Sequence, residues 1–237
     1  MFKLTPLTAA ILVIVSAQAM ADDSLSTQNQ VGTANIAEVT QKQASFSTAT
    51  QTQLGEGNNA AARQEGATGT ITQDQVGDFN AGYAEQLYEN GSTIVQQQVG
   101  ALNITHASQS IGALGANHAL QQQQGTGNFS FIYQEGQDGN TATTSQLGDS
   151  NRANIEQLQY GTGNNATVTQ YGTDNYGTGE HVGHVGGQIN INQAGEVNYA
   201  YADQSFGDGG TATINQLGSM NGSEVWQDSQ LASQATV

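Results

Sequence analysis

A twelve-position pattern, Gln-x-Gly-x-x-Asn-x-Ala-x-x-x-Gln, recurs along this chain and limits what it can fold into. It is met in full from Gln30, Gln53, Gln146, Gln159 and Gln193. From Gln75, Gln98, Gln123 and Gln216 only the Ala position changes, to Gly82, Thr105, Ser130 and Ser223. With Gln159 taken as a half-step, the leading glutamines are Gln30, Gln53, Gln75, Gln98, Gln123, Gln146, Gln170, Gln193 and Gln216, spaced 22 to 25 residues apart. A fixed period of this size marks stacked units, none of which can bury its inner face alone.

The other positions of the pattern fall into rows of their own. The turn glycines are Gly32, Gly55, Gly77, Gly100, Gly125, Gly148, Gly172, Gly195 and Gly218. The asparagines are Asn35, Asn58, Asn80, Asn103, Asn128, Asn151, Asn175, Asn198 and Asn221. The trailing glutamines are Gln41, Gln64, Gln86, Gln109, Gln134, Gln157, Gln204 and Gln227, with His181 in the seventh unit.

Between Asn and the trailing Gln, alternate residues are small or β-branched, as in Ala37-x-Val39-x-Gln41 and Ala153-x-Ile155-x-Gln157. The residues between them are polar, charged or bulky. Period two is a strand with one packed and one wet face. The stretch before the leading Gln repeats it, as in Ser92-x-Ile94-x-Gln96-x-Gln98. Gly-x-x-Asn separates the two strands, and Gly and Asn tolerate the positive φ of a tight reversal. Each unit therefore reads as strand, turn, strand, turn. The expected fold is all-β, a parallel β-solenoid of about nine units in which like residues stack. A buried amide is costly unless its donors and acceptors are met, and a column of glutamines meets them rung upon rung. These Gln and Asn rows are the candidate self-assembly site, since the end rungs leave strand edges that template another chain.

Composition supports strands without an ordinary oily core. Only 36% of the 237 residues are apolar, so a free monomer is expected to begin disordered. There is no Cys, which removes disulfide staples, and the only proline, Pro6, precedes the repeats. Pro cannot donate to a sheet ladder. The net charge is -16 with four Lys and Arg, too few cations for a nucleic-acid groove.

The N-terminus reads as a signal peptide. Lys3 precedes the apolar run 9–15, and Ala19-Met20-Ala21 places small residues before a cleavage site. That run is too short to span a bilayer. The predicted organisation is a signal at 1–21 and a repeat domain at 22–237, secreted, with no membrane insertion. Its units run about 24–46, 47–68, 69–91, 92–116, 117–139, 140–163, 164–186, 187–209 and 210–237.

The extended motif Ser-x5-Gln-x-Gly-x-Gly-Asn-x-Ala-x3-Gln resembles the repeat of curlins, the subunits of bacterial curli. Ser47 to Gln64 fits it throughout, and Ser24 to Gln41 fits except for Ala34 in place of the second Gly. The resemblance covers residues 24 to 237. It implies export through a dedicated outer-membrane pore, a nucleator subunit as partner, and homopolymeric amyloid fibres for adhesion and biofilm matrix. Two departures stand out: a repeat opens at Ser24 without a separate targeting segment, and the repeats outnumber the family's usual complement. The stretch Glu224 to Asp228 has no Lys or Arg, which favours the major subunit over the basic-tailed nucleator.

Rival classes are weaker. An enzyme needs acid, base and cation groups converging in a cleft, and no catalytic residue or cofactor is expected. His181 and His184 are too few for zinc, which takes three or four ligands, so no metal is expected and His181 reads as a substituted rung. The outward aromatics Phe129, Phe131, Tyr133, Tyr199, Tyr201 and Trp226 are expected to stack on one another. The alternative is a soluble monomeric β-solenoid acting as an adhesin or carbohydrate- or surface-binding protein. It would need capped ends, whereas the repeats reach Gln227 and leave a short Ser/Gln/Ala tail read as no cap.

Overall fold

The computed structural model describes residues 15–16, 23–111, 116–136 and 138–237. Two ten-stranded sheets face each other, and long and short strands alternate along the chain. One sheet takes the long strands, from Leu25–Thr33 through Thr48–Glu56 to Thr211–Ser219. The other takes the short ones, from Ile36–Lys42 through Asn59–Glu65 to Gly222–Asp228. Every strand pairs in parallel with its equivalent one coil away, so Gln30 lies beside Gln53 and Gln53 beside Gln75. The result is a parallel β-solenoid of about nine turns, with no helix among the described residues.

The interior is narrow because small and large residues share it. Ile71, Ile94, Ile132, Ile155, Ile189, Ile191 and Ile214 are fully buried, packed among alanines such as Ala49, Ala84, Ala142 and Ala200. Alternation puts the neighbouring residues outside. In the strand Phe129–Glu135 the buried positions are Ser130, Ile132 and Gln134, while Phe129, Phe131 and Tyr133 face outward. The outer aromatics do stack: Tyr176 lies parallel to Tyr199 at 5.6 Å, and Tyr201 meets Trp226 at 4.7 Å.

The turn after each long strand depends on its glycine twice over. Gly125 has a φ of 125°, a conformation open in practice only to glycine. A Cβ there would also run into the carbonyl oxygen of Gly148 one coil on. The asparagine plays a different part from the one its propensity suggests. None of the pattern's asparagines adopts a positive φ; the residue before it does, whatever its type. Gly57 and Gly127 suit that position, yet Phe79, Leu102, Val197 and Met220 occupy it at φ of 56–59°. For a β-branched residue such as Val197 this is an outlier, held in place by the coils on either side.

The ends differ from the interior. Val15–Ser16 form a two-residue strand against Glu38 and Val39. The expected cleavage site after Ala21, with the rest of the leader, lies outside the described residues. At the other end the short Ser/Gln/Ala tail, read as no cap, forms a strand of its own. Gln234–Thr236 pair in parallel with Thr211–Thr213 and add half a rung to the long-strand sheet.

Candidate functional site: the glutamine and asparagine rows

Parallel in-register pairing brings each row of amides to one coil spacing. In the leading row, Gln30 Nε2 donates to Gln53 Oε1 at 2.8 Å, and the same bond repeats at every step to Gln216, within 2.8–3.1 Å. From Gln53 onward the second N–H of each amide crosses the lumen to a short-strand carbonyl. Gln53 reaches Ile36, Gln98 reaches Ala81 and Gln193 reaches Tyr176, at 2.9–3.0 Å. Only an NH2 can face a carbonyl, so these crossings fix which way each amide points. The row is therefore directional, donating toward the C-terminal end.

The trailing row runs the same way, with five bonds from Gln41 to Gln157 at 2.7–3.0 Å. It resumes from Gln204 to Gln227 at 2.7 Å. His181 lies between the two segments, paired in register with Gln157 below and Gln204 above. Its Nε2 is 2.9 Å from Gln204 Oε1. Since that oxygen only accepts, Nε2 carries the proton and Nδ1 is bare. Nδ1 has no partner, and Gln157 turns its amide to the carbonyls of Thr141 and Asn164 instead. Burial pushes the His181 pKa down to about 3, so the ring is neutral at physiological pH.

The asparagine row has the opposite sense. Asn58 Nδ2 and its backbone N–H both donate to Oδ1 of Asn35. The same pair of bonds recurs at each step to Asn221. From Asn35 to Asn198 each Nδ2 also reaches forward to a turn-glycine carbonyl, as Asn58 does to Gly77. The asparagine thus ties three successive coils through one side chain, which is why the turn keeps it without needing its backbone freedom.

A third glutamine row was not singled out by the repeat pattern. Gln28, Gln51, Gln73, Gln96 and Gln121 bond in succession at 2.7–3.0 Å. The row ends where Gln121 donates to Ser130 Oγ. From there the position passes to Thr144, Val168, Ile191 and Ile214. The signal is present in the sequence as Gln-x-Gln in the first five units and its loss in the last four. An alignment anchored on the second Gln treats the first as ordinary alternation.

The outer faces carry most of the charges, although Glu89 is buried and accepts from the Ser92 hydroxyl and the Asn117 amide. Lys42, Glu65, Arg63 and Glu85 form an exposed chain of ion pairs over the first three coils. Further along, burial raises the pKa of Glu180 and of Asp203, and the Tyr201 hydroxyl donates to Glu180. Asp78 and Asp149 accept the backbone N–H groups of Glu56 and Thr126, so both have local structural work at the turn. A surface hollow of about 340 Å³ beside Gln97, Val99, Gln122, Leu147 and Tyr171 is lined without a carboxylate.

Residues 188–218, which span the eighth coil and enter the ninth, match the family model described as the curlin-associated repeat. A search of curated proteins found no match to the chain. Curlin repeats on a β-solenoid belong to structural rather than enzymatic families. The matched unit is continuous in register with eight others of the same build, and the match is consistent with a curlin family protein.

Proposed function

We propose that this chain is a structural subunit of extracellular curli-like amyloid fibres. Residues 1–21 are removed on export, and copies stack head to tail into filaments that serve adhesion and biofilm matrix. The polarity of the amide rows at the two end coils carries this reading. With residues 1–21 removed, Gln30 and Gln41 at the first coil lead their rows and present Oε1 acceptors. At the ninth, Gln227 presents an Nε2 donor and Asn221 an Oδ1 acceptor to the Asn35 N–H of a following copy. Gln216 Nε2 donates to Tyr199 O and to Ser223 Oγ, a hydroxyl that a following Gln30 would replace. Head-to-tail contact sets donors on acceptors in the trailing and asparagine rows, and in the leading row once Gln216 exchanges Ser223 for the incoming amide, whereas head-to-head contact sets like on like. A heterologous contact of this kind does not close, and it generates an open filament. Each subunit of nine coils adds roughly 40 Å at about 4.8 Å per rung.

The Gln and Asn rows act here as the self-assembly site, between molecules as within one. The acidic stretch Glu224 to Asp228 favours the fibre-forming major subunit. A nucleator subunit and an outer-membrane export pore are the partners this role requires. The test is polymerisation of purified 22–237. It should convert after a lag to thioflavin-T-positive fibres with a meridional reflection near 4.8 Å. A chain that stays monomeric and β-rich at high concentration would favour the soluble adhesin instead.

A further inference from the structure

The tail sits on the edge that a following copy would need. Thr211 N–H donates to Ser233 O, Asn215 N–H to Val237 O, and Val237 N–H to Thr213 O, at 2.8–3.0 Å. Ala235 packs against the end of the core. These contacts use the outward-facing backbone groups of the last long strand at Thr211–Asn215. In the register that continues the solenoid, the strand Leu25–Thr33 of a second copy would claim the same groups. An edge N–H or C=O serves one neighbouring strand only, so the two are mutually exclusive.

The half-rung also cannot be kept as a spacer. It thickens the long-strand sheet by about 4.8 Å and leaves the short-strand sheet, ending at Gly222–Asp228, as it was. A second copy stacked above the tail would meet a one-rung step between its two sheets. Nor does the tail carry the amide row forward: Gln234 to Val237 match Thr211 to Ile214 and do not reach the row of Gln216.

We propose that residues 230–237 form an intramolecular cap over the last long strand, which the first coil of a second copy displaces during assembly. The proposal rests on the fibre reading above and adds a gate to its C-terminal end. The cap copies the packing residues of a rung without its glutamine, so it shields the edge while remaining exchangeable for a full coil.

Two variants of the mature chain test it. The first lacks residues 230–237. The second is Thr213→Cys with Thr236→Cys, paired neighbours on adjacent strands in a chain with no other cysteine, so that oxidation locks the cap. On preformed seeds the truncated chain should elongate about tenfold faster, the gain from removing a closed majority state. The oxidised double variant should not elongate, and reduction should restore the wild-type rate. Equal rates for oxidised and reduced forms, or slower growth after truncation, would overturn the cap and leave the fibre reading intact. Failure of every form, wild type included, to make fibres would remove both.

Discussion

His181 stands in register between Gln157 and Gln204, and its ring bonds only the second. The trailing amide row therefore has one missing bond, between the sixth and seventh coils. Restoring it with His181→Gln should stabilise the stack by about 1 kcal/mol, the net worth of a buried hydrogen bond. The denaturant midpoint of the folded chain checks this, and an unchanged midpoint would mean the amide cannot reach Gln157.

The same residue makes the stack sensitive to acid. Its folded pKa of about 3 lies below the usual histidine value of 6.5. Below that usual value the unfolded state takes up a proton that the folded state refuses, so stability falls as pH drops from 6.5 toward 3. The slope approaches 1.4 kcal/mol per pH unit, an upper bound for one group. Glu180 and Asp203, whose pKa values are raised by burial, work in the opposite direction as they protonate. Comparing unfolding of wild type and His181→Gln across this range isolates the histidine. Parallel curves for the two would contradict its buried, neutral state.

Turn glycines should differ sharply in their tolerance of alanine. Gly125→Ala meets both a φ of 125° and the Gly148 carbonyl, and should cost more than about 3 kcal/mol. Gly139→Ala has a φ of 67° and nothing within 4 Å of the added carbon, so about 1 kcal/mol is expected. Circular dichroism with thermal melting separates the two. Similar losses would mean that the stacked carbonyl gives way.

Inner and outer positions should separate as cleanly. Gln53→Leu strands the Gln30 amide, the Gln75 amide and the Ile36 carbonyl, at about 1–3 kcal/mol for each unmet group. Thr40→Val, on the outer face, should stay within about 0.5 kcal/mol. Assembly lag times should follow the same order, and equal lags would contradict the inner face.

The two halves of the core should resist opposite changes. Ile191→Gln places an amide between Val168 and Ile214, with no partner in its row. The expected loss is about 3 kcal/mol, read from hydrogen exchange in the last four coils. Protection equal to wild type would show that water reaches that part of the lumen.

Much of this architecture can be read from residue spacing because identical neighbours impose their own register. Gln30 to Gln216 and Gly32 to Gly218 declare parallel stacking before any coordinates are known. Features that depend on the stack as a whole are harder to read. Phe79, Leu102 and Val197 in left-handed turns contradict their own propensities, and only the neighbouring coils explain them. The row from Gln28 to Gln121 was hidden by its similarity to the row beside it. The tail from Gln230 to Val237 has the composition of a loose end, and only the edge it covers makes it a strand.

Backbone bonds in both sheets and the side-chain bonds of every amide row point along one axis. Within an interface between coils they act as springs in parallel, and the interfaces follow one another in series. A pull on the filament loads each interface equally, so rupture starts where springs are fewest. Inside one subunit that level is the seam between Gln157 and His181, a built-in point of fracture where the trailing row is broken and the third glutamine row has already ended.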